Sequence, residues 1–247
     1  MTQRLTLYRQ IALFPVSAAL LAFQVALLQI LATSQWHHFA YLVISIALLG
    51  FGVAGTALAL ARGWILARAS LLLPLLLCAC AVTLAGSLSF IESLFGSFDS
   101  YLLFVNPGEA LRLAASALVL MLPFTCGALA IGIIFTSGAE QIGRHYFANM
   151  LGSGIGCALG LAGLANLPAA LLPPLCGLLA LLSAVALLPG SKNSVRGCVL
   201  LSLAGVTFFL FVRPGITLSQ YKDLRKTLDL PGAEIIVEEP STFGQLH

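Results

Sequence analysis

Seven long stretches of this chain hold almost no charged positions, and short polar links separate them. They run Ile11 to Ala32, Ala40 to Ala61, Ala69 to Phe90, Leu113 to Thr136, Tyr146 to Asn166, Ala169 to Leu188 and Cys198 to Val212. A helix needs about 20 apolar residues to cross the hydrocarbon core of a bilayer. Strands of a membrane barrel would alternate apolar and polar residues over about ten positions, and these stretches do not alternate. The pattern predicts an all-α fold, a polytopic transmembrane helical bundle of about seven spans. The seventh span is the shortest. The first exceeds the roughly 7–15 apolar residues of a signal-peptide core, and further spans follow it, so it reads as a retained anchor.

Composition agrees. The chain is 60% hydrophobic and 9% charged, against about 25% charged in a soluble domain. The partner this implies is the lipid bilayer. The formal charge of +3 is scattered between spans, which gives no footprint for nucleic acid. Six cysteines, at 78, 80, 126, 157, 176 and 198, fall in or beside the apolar stretches. Cys78 and Cys80 are two positions apart and point away from each other on a helix. All six read as small packing residues, and they do not report a redox compartment.

Link charges give a direction. With the N-terminus in the cytoplasm, Arg4, Arg9, Arg62, Arg68, Arg144, Lys192 and Arg196 lie inside, and Arg112 alone among the short links lies outside. The expected location is the inner membrane. The 91–110 link, with Glu92, Asp99 and Glu109, is expected as an outer loop, and Trp36 and Trp64 at the interfaces. Residues 1–213 form the membrane domain on this reading.

The segment 214–247 differs in kind. Leu218, Tyr221, Leu224 and Leu228 at helical spacing, with Lys222, Asp223, Arg225 and Lys226 between them, predict a short amphipathic helix over 218–230. Ser219 is its N-cap, and Pro231-Gly232 stops it. A strand is expected over 233–239, a turn over 240–244 and a second strand from Gln245. A lone hairpin is marginal in water, so this segment is expected to open a soluble domain that continues past His247. Seven spans would put it outside; six spans and a surface segment would keep it inside.

Within the spans, Gly152, Gly156 and Gly160 repeat every four residues, with Gly154 and Gly163 nearby. Residues four apart share a helix face, and a glycine face admits close approach of a second helix in lipid. A homo-oligomer through this face is one expectation. The run Gly152-Ser153-Gly154-Ile155-Gly156 is not a nucleotide loop, because that motif follows a soluble strand and opens a helix. Gly50, Gly52 and Gly55 form a lesser version.

Polar residues at membrane depth are few: Gln24, Gln29, Ser45, Thr56, Thr125, Ser153 and Asn149. Gln24 and Gln29 are expected to hydrogen-bond between helices. The spans as drawn contain no Asp, Glu, Lys, Arg or His, which weighs against an ion-driven pump. Pro74, Pro123, Pro173 and Pro174 are expected to kink helices. Trp36-His37-His38 lacks a third ligand and reads as a wet interfacial cluster. Neither a catalytic constellation nor metal-ligand spacing emerges, and no cofactor site is expected in this chain.

Three stretches carry a family likeness. They are Phe23-Gln24-Val25-Ala26-Leu27-Leu28-Gln29, the run from Tyr146 to Gly156 with its Tyr-x-x-Asn-x-x-Gly core, and Tyr221 to His247 with Ser241-Thr242-Phe243-Gly244-Gln245. Together they resemble the membrane-embedded N-terminal part of bacterial fused spermidine synthase-like proteins. Gln29 stands where that family's pattern has Arg, so no charged role carries over to it. The resemblance implies a module that anchors a polyamine-synthase-like or methyltransferase-like domain. It also implies a donor of the S-adenosylmethionine type for that domain. The family's catalytic positions would lie beyond His247, so no catalysis is expected in this chain by itself. Two other classes fit the pattern: a small-solute transporter of the inner membrane and a structural membrane scaffold.

Overall fold

A computed structural model of the chain describes residues 2–34, 39–95, 102–188, 193–212, 227, 239–241 and 244–246. The helices are α1 (Thr2–Ser34), α2 (Phe39–Leu60), α3 (Arg62–Ala67), α4 (Ala69–Phe95), α5 (Pro107–Ser137), α6 (Ile142–Asn166), α7 (Leu172–Ala186) and α8 (Asn193–Phe211). All but the six-residue α3 are long and apolar enough to cross a membrane, α7 together with the helical turn Ala169–Leu171 before it. The seven expected spans are therefore present as helices.

Their ends depart from the sequence reading for identifiable reasons. The fourth span begins six residues early, at Pro107, because Asn106 caps α5 by accepting from the Gly108 N–H at 3.0 Å. Proline at the first helical position and Glu109 in the first turn complete a strong start signal. The 91–110 link is thus partly helix. Pro173 and Pro174 lie in the first turn of α7, where a missing N–H is harmless, so they do not kink a span. Pro74 and Pro123 do fall inside α4 and α5, and Pro15 lies inside α1. Trp64 stands on the short link helix α3, with the Arg68 guanidinium 4.6 Å from its ring centre.

α1 and α4 form the inside of the bundle. α1 packs on α6, α7, α2 and α5, and α4 packs on α5, α7 and α8. Helices apolar on every side belong in such positions. Phe23 and Phe124 meet in the α1–α5 contact with ring centres 5.7 Å apart. α2, α6 and α8 are peripheral and turn Tyr41, Leu48, Phe147, Leu200 and Leu201 outward.

Contacts between particular residues fix the direction of each helix. Gly152, Gly156 and Gly160 of α6 meet Phe14, Ala18 and Ala22 of α1 in ascending order, so the two run parallel. Leu20 and Phe23 meet Gly127 and Phe124 in descending order, so α5 runs against α1. Gly50 lies against Phe124 and Thr125 and Leu58 against Gly132, so α2 and α5 run together. Val82 and Gly86 meet Gly205 and Phe209, so α8 runs with α4. α3 links α2 to α4 in only a few residues, so α4 starts at the end where α2 finishes and runs back. The chain thus traverses the bundle seven times. α8 ends at the opposite end of the bundle from the start of α1.

The glycine face of α6 is filled from within the chain. A Cβ at Gly152 would lie 2.5 Å from Phe14 O, one at Gly160 would lie 3.0 Å from Ala22 O, and one at Gly156 would collide with Ala18 O. The face expected to make an oligomer contact is occupied by α1. The lesser set divides, with Gly50 against α5 and nothing within 4 Å of Gly52 or Gly55.

The expected amphipathic helix over 218–230 lies outside the described residues except for Thr227, and so does the expected strand up to residue 238. The described piece of the tail is a three-residue antiparallel ladder, β1 (Glu239–Ser241) with β2 (Gly244–Leu246). It does not support the expected hairpin start. Pro240, placed by the sequence reading in the turn, pairs with Gln245. The ladder also lies beside α6 and α1.

The packing predicts a contrast between two glycines two positions apart. Gly156→Leu is expected to lose about 3 kcal/mol or more of stability, the upper range for overpacking. Gly154→Leu, with nothing within 4 Å of its Cβ position, is expected to stay within about 0.5 kcal/mol. Thermal unfolding of both variants in detergent checks this; the reverse order would show that the wrong face was assigned to α1.

Candidate functional site

The α1–α6 seam holds a polar contact in the bundle interior. Close approach through the glycines brings Asn149 of α6 to Ser17 of α1. Ser17 Oγ donates to Leu13 O at 2.8 Å and lies 2.7 Å from Asn149 Oδ1. Its single proton is shared between these acceptors. Ser17 is buried and Asn149 half-buried. Such an interhelical bond in lipid is worth about 0.6 kcal/mol on average, so it selects register more than it supplies stability.

Two turns toward the start of α1, a second polar layer ties the helix ends together. Arg9 Nη1 donates to Ser137 Oγ at 3.0 Å, and Gln10 Nε2 donates to Gln141 Oε1 at 2.8 Å. These bonds hold α1 to the end of α5 and to the turn that leads into α6. His145, at the start of α6, sits in this layer with its ring 6.3 Å from that of Phe135. The side chain is fully buried, and neither ring nitrogen has a hydrogen-bond partner among the described residues. The Gly138 backbone is a polar neighbour of the ring, but it does not reach hydrogen-bond geometry. A Cβ at residue 138 would collide with the imidazole.

At the other end, Glu109 in the first turn of α5 is 5% exposed and bonded to Arg112 Nη1 at 3.0 Å. His145 and Glu109 are ionisable groups inside the helices counted as spans. The sequence reading missed both because it began the fourth and fifth spans too late. The Asn106-Pro107-Gly108-Glu109 start signal marks one. The other stands four residues before Asn149 and seven before Gly152, on the face that meets α1.

Gln24 and Gln29 do not join this seam. They lie about 10 and 18 Å farther along the α1 axis than Ser17, at 1.5 Å of rise per residue. Both are half-buried, and no side-chain hydrogen bond links either to another described residue. The expected interhelical bonds are therefore not seen for them. Asn149 alone of the three makes one. His37, His38 and Trp36 lie outside the described residues.

A cleft lies farther along, where α6 and α7 diverge over α1. It holds about 510 Å³ and is lined by Ala22, Leu159, Gly160, Gly163, Leu175 and Cys176, among others. Its lining is apolar but for Asn166 at the end of α6, whose Nδ2 donates to Ala162 O at 2.8 Å.

The chain matches no family model, no curated protein and no solved structure. Chemistry must therefore be read from the side chains alone. Among the described residues no three of His, Cys, Asp and Glu converge as metal ligands, and the six cysteines are unbridged. Asn149, Ser17, Arg9 and His145 line one seam but enclose no described cavity. Their geometry positions helices.

Two substitutions separate positioning from chemistry. Ser17→Ala removes the shared donor and is expected to cost about 0.5–1 kcal/mol. His145→Leu removes two unpartnered buried nitrogens for a side chain of similar size, and stability in detergent is expected to hold or rise. A loss above about 1 kcal/mol for His145→Leu would show that the imidazole is hydrogen-bonded in the membrane.

Proposed function

We propose that the chain is a multi-pass anchor module of the bacterial inner membrane, related to the membrane part of fused spermidine synthase-like proteins. Its work is to hold polypeptide at a membrane surface. The observation that carries this reading is how the interior is used. Glycine and alanine faces close the helices on one another, and Ser17 with Asn149, Arg9 with Ser137 and Gln10 with Gln141 bond one element to another. Solute paths use converging polar groups near the midplane, often at broken helices. The described cleft is apolar and lies toward one side of the bundle, which favours an anchor over a transporter.

The side of the membrane decides what kind of domain such an anchor could serve. The charge bias of the links favours a cytoplasmic N-terminus. α8 running with α4 favours emergence of residue 212 on the outer side. An S-adenosylmethionine-type donor is a cytoplasmic compound, so the donor-using role that the resemblance implies requires residue 247 on the inner side. The anchor role requires neither side.

A pair of topology reporters tests this. An alkaline phosphatase fused after His247 is expected to be active, and one fused before Thr2 inactive. A cytoplasmic C-terminus would overturn the seven-crossing orientation and retain the donor-using role. Recovery of the full chain as a monomer from detergent-free buffer would overturn the anchor reading itself.

A further inference from the structure

The cleft between α6 and α7 is lined by Gly160 and Gly163 of α6 and by Ala22 of α1. α6 and α7 are joined by a short turn at Asn166–Leu172, in which the Leu167 N–H donates to Gly163 O at 2.8 Å and the Leu171 N–H to Pro168 O at 2.9 Å. α6 packs mainly on α1 and α7 on both α4 and α1, and the two touch each other only slightly. The packing records this gap. Ala26, Leu164 and Leu172 form a small apolar cluster separate from the main core. The side chain that comes nearest to closing the gap is Leu172, whose Cδ2 lies 2.5 Å from a Cβ position on Gly163.

We infer that this cleft is a binding site for one acyl chain of a bilayer phospholipid. The inference rests on the membrane reading above, because the cleft lies within two of the spans. Leu159 and Leu167 at its mouth are exposed, so it opens sideways to the hydrocarbon. An apolar space open to lipid tails takes a lipid tail, whereas water there would find few partners. Asn166, exposed where α6 ends, keeps its Oδ1 and one amide proton for the polar region of the same lipid, since its other proton bonds Ala162 O.

The test uses the full chain in vesicles of phosphatidylethanolamine and phosphatidylglycerol, with a trace of phosphatidylglycerol carrying a diazirine midway along one acyl chain. After illumination, adducts are mapped by mass spectrometry. Residues 159–179 are expected to carry several times the label of the outward face of α8 at Leu200 and Leu201. Ala162→Phe, at an exposed lining position, is expected to fill the cleft and lower its labelling to the α8 level. Equal labelling of the two regions in the unsubstituted chain would overturn the site while leaving the membrane reading intact. So would labelling of the cleft unchanged by a folded Ala162→Phe. No label on α8 either would overturn both. The comparison within the unsubstituted chain stands even where the variant fails to fold.

Discussion

The contact between the α6 glycines and the backbone of α1 sets the geometry of this bundle. Lipid tails are as apolar as leucine, so burial gives helices little reason to associate in a membrane. Close packing and interhelical hydrogen bonds must supply it. At Gly152, Gly156 and Gly160 the α6 backbone lies directly on that of α1, with no side chain between. Only at that separation do the short side chains of Ser17 and Asn149 reach one another. One sequence feature therefore produces the close α1–α6 contact and its central polar bond.

Polar groups in this interior are placed by depth. Many single hydroxyls in mid-span return their protons to the preceding turn, as Thr125 does to Met121 O and Thr136 to Gly132 O, while Ser89 and Ser183 find no partner among the described residues. This removes the penalty of an unsatisfied group in hydrocarbon without a partner helix. Side chains that reach across helices cluster near the start of α1, where Arg9 and Gln10 meet the α5–α6 turn. Charged groups stand near helix ends, as Glu109 with Arg112 shows. An ionisable group close to the interface is far less costly than one at the centre of the bilayer. His145 is the exception that geometry explains only in part: it is packed between Gly138 and Phe135, yet its nitrogens are unpartnered among the described residues.

Much of this fold was legible in the chain. Seven apolar stretches became seven helices because hydrocarbon leaves the backbone no other open-ended way to satisfy itself. Helix starts were less legible where capping, not hydropathy, decides them. Asn106 and Pro107 extend α5 through residues that a hydropathy reading places in a loop. Pro173 and Pro174 show the converse, since a proline that kinks a helix interior is harmless in a first turn. Gln24 and Gln29 are half-buried in α1. Whether such a group finds a partner depends on what the neighbouring helix offers at that level, which periodicity along one helix does not contain.

The partner of the glycine face illustrates the same limit and how far it can be pushed. A four-residue glycine repeat says that a face is bare; it does not say whether another helix of the same chain or a second copy covers it. Direction narrows the choice. First and fifth spans of an alternating chain run the same way, and parallel helices with small residues at matching four-residue spacing can pack along several turns. The first span carries Ala18, Ala22 and Ala26 at that spacing, and Ala18 and Ala22 are the residues that meet Gly156 and Gly160. The opposite face of α6 has its own small set, Gly154, Ala158 and Ala162, all exposed. The two sets differ in that only the first has a parallel alanine ladder waiting in the same chain. Matching small-residue ladders between spans of equal direction thus carries information that neither ladder holds alone.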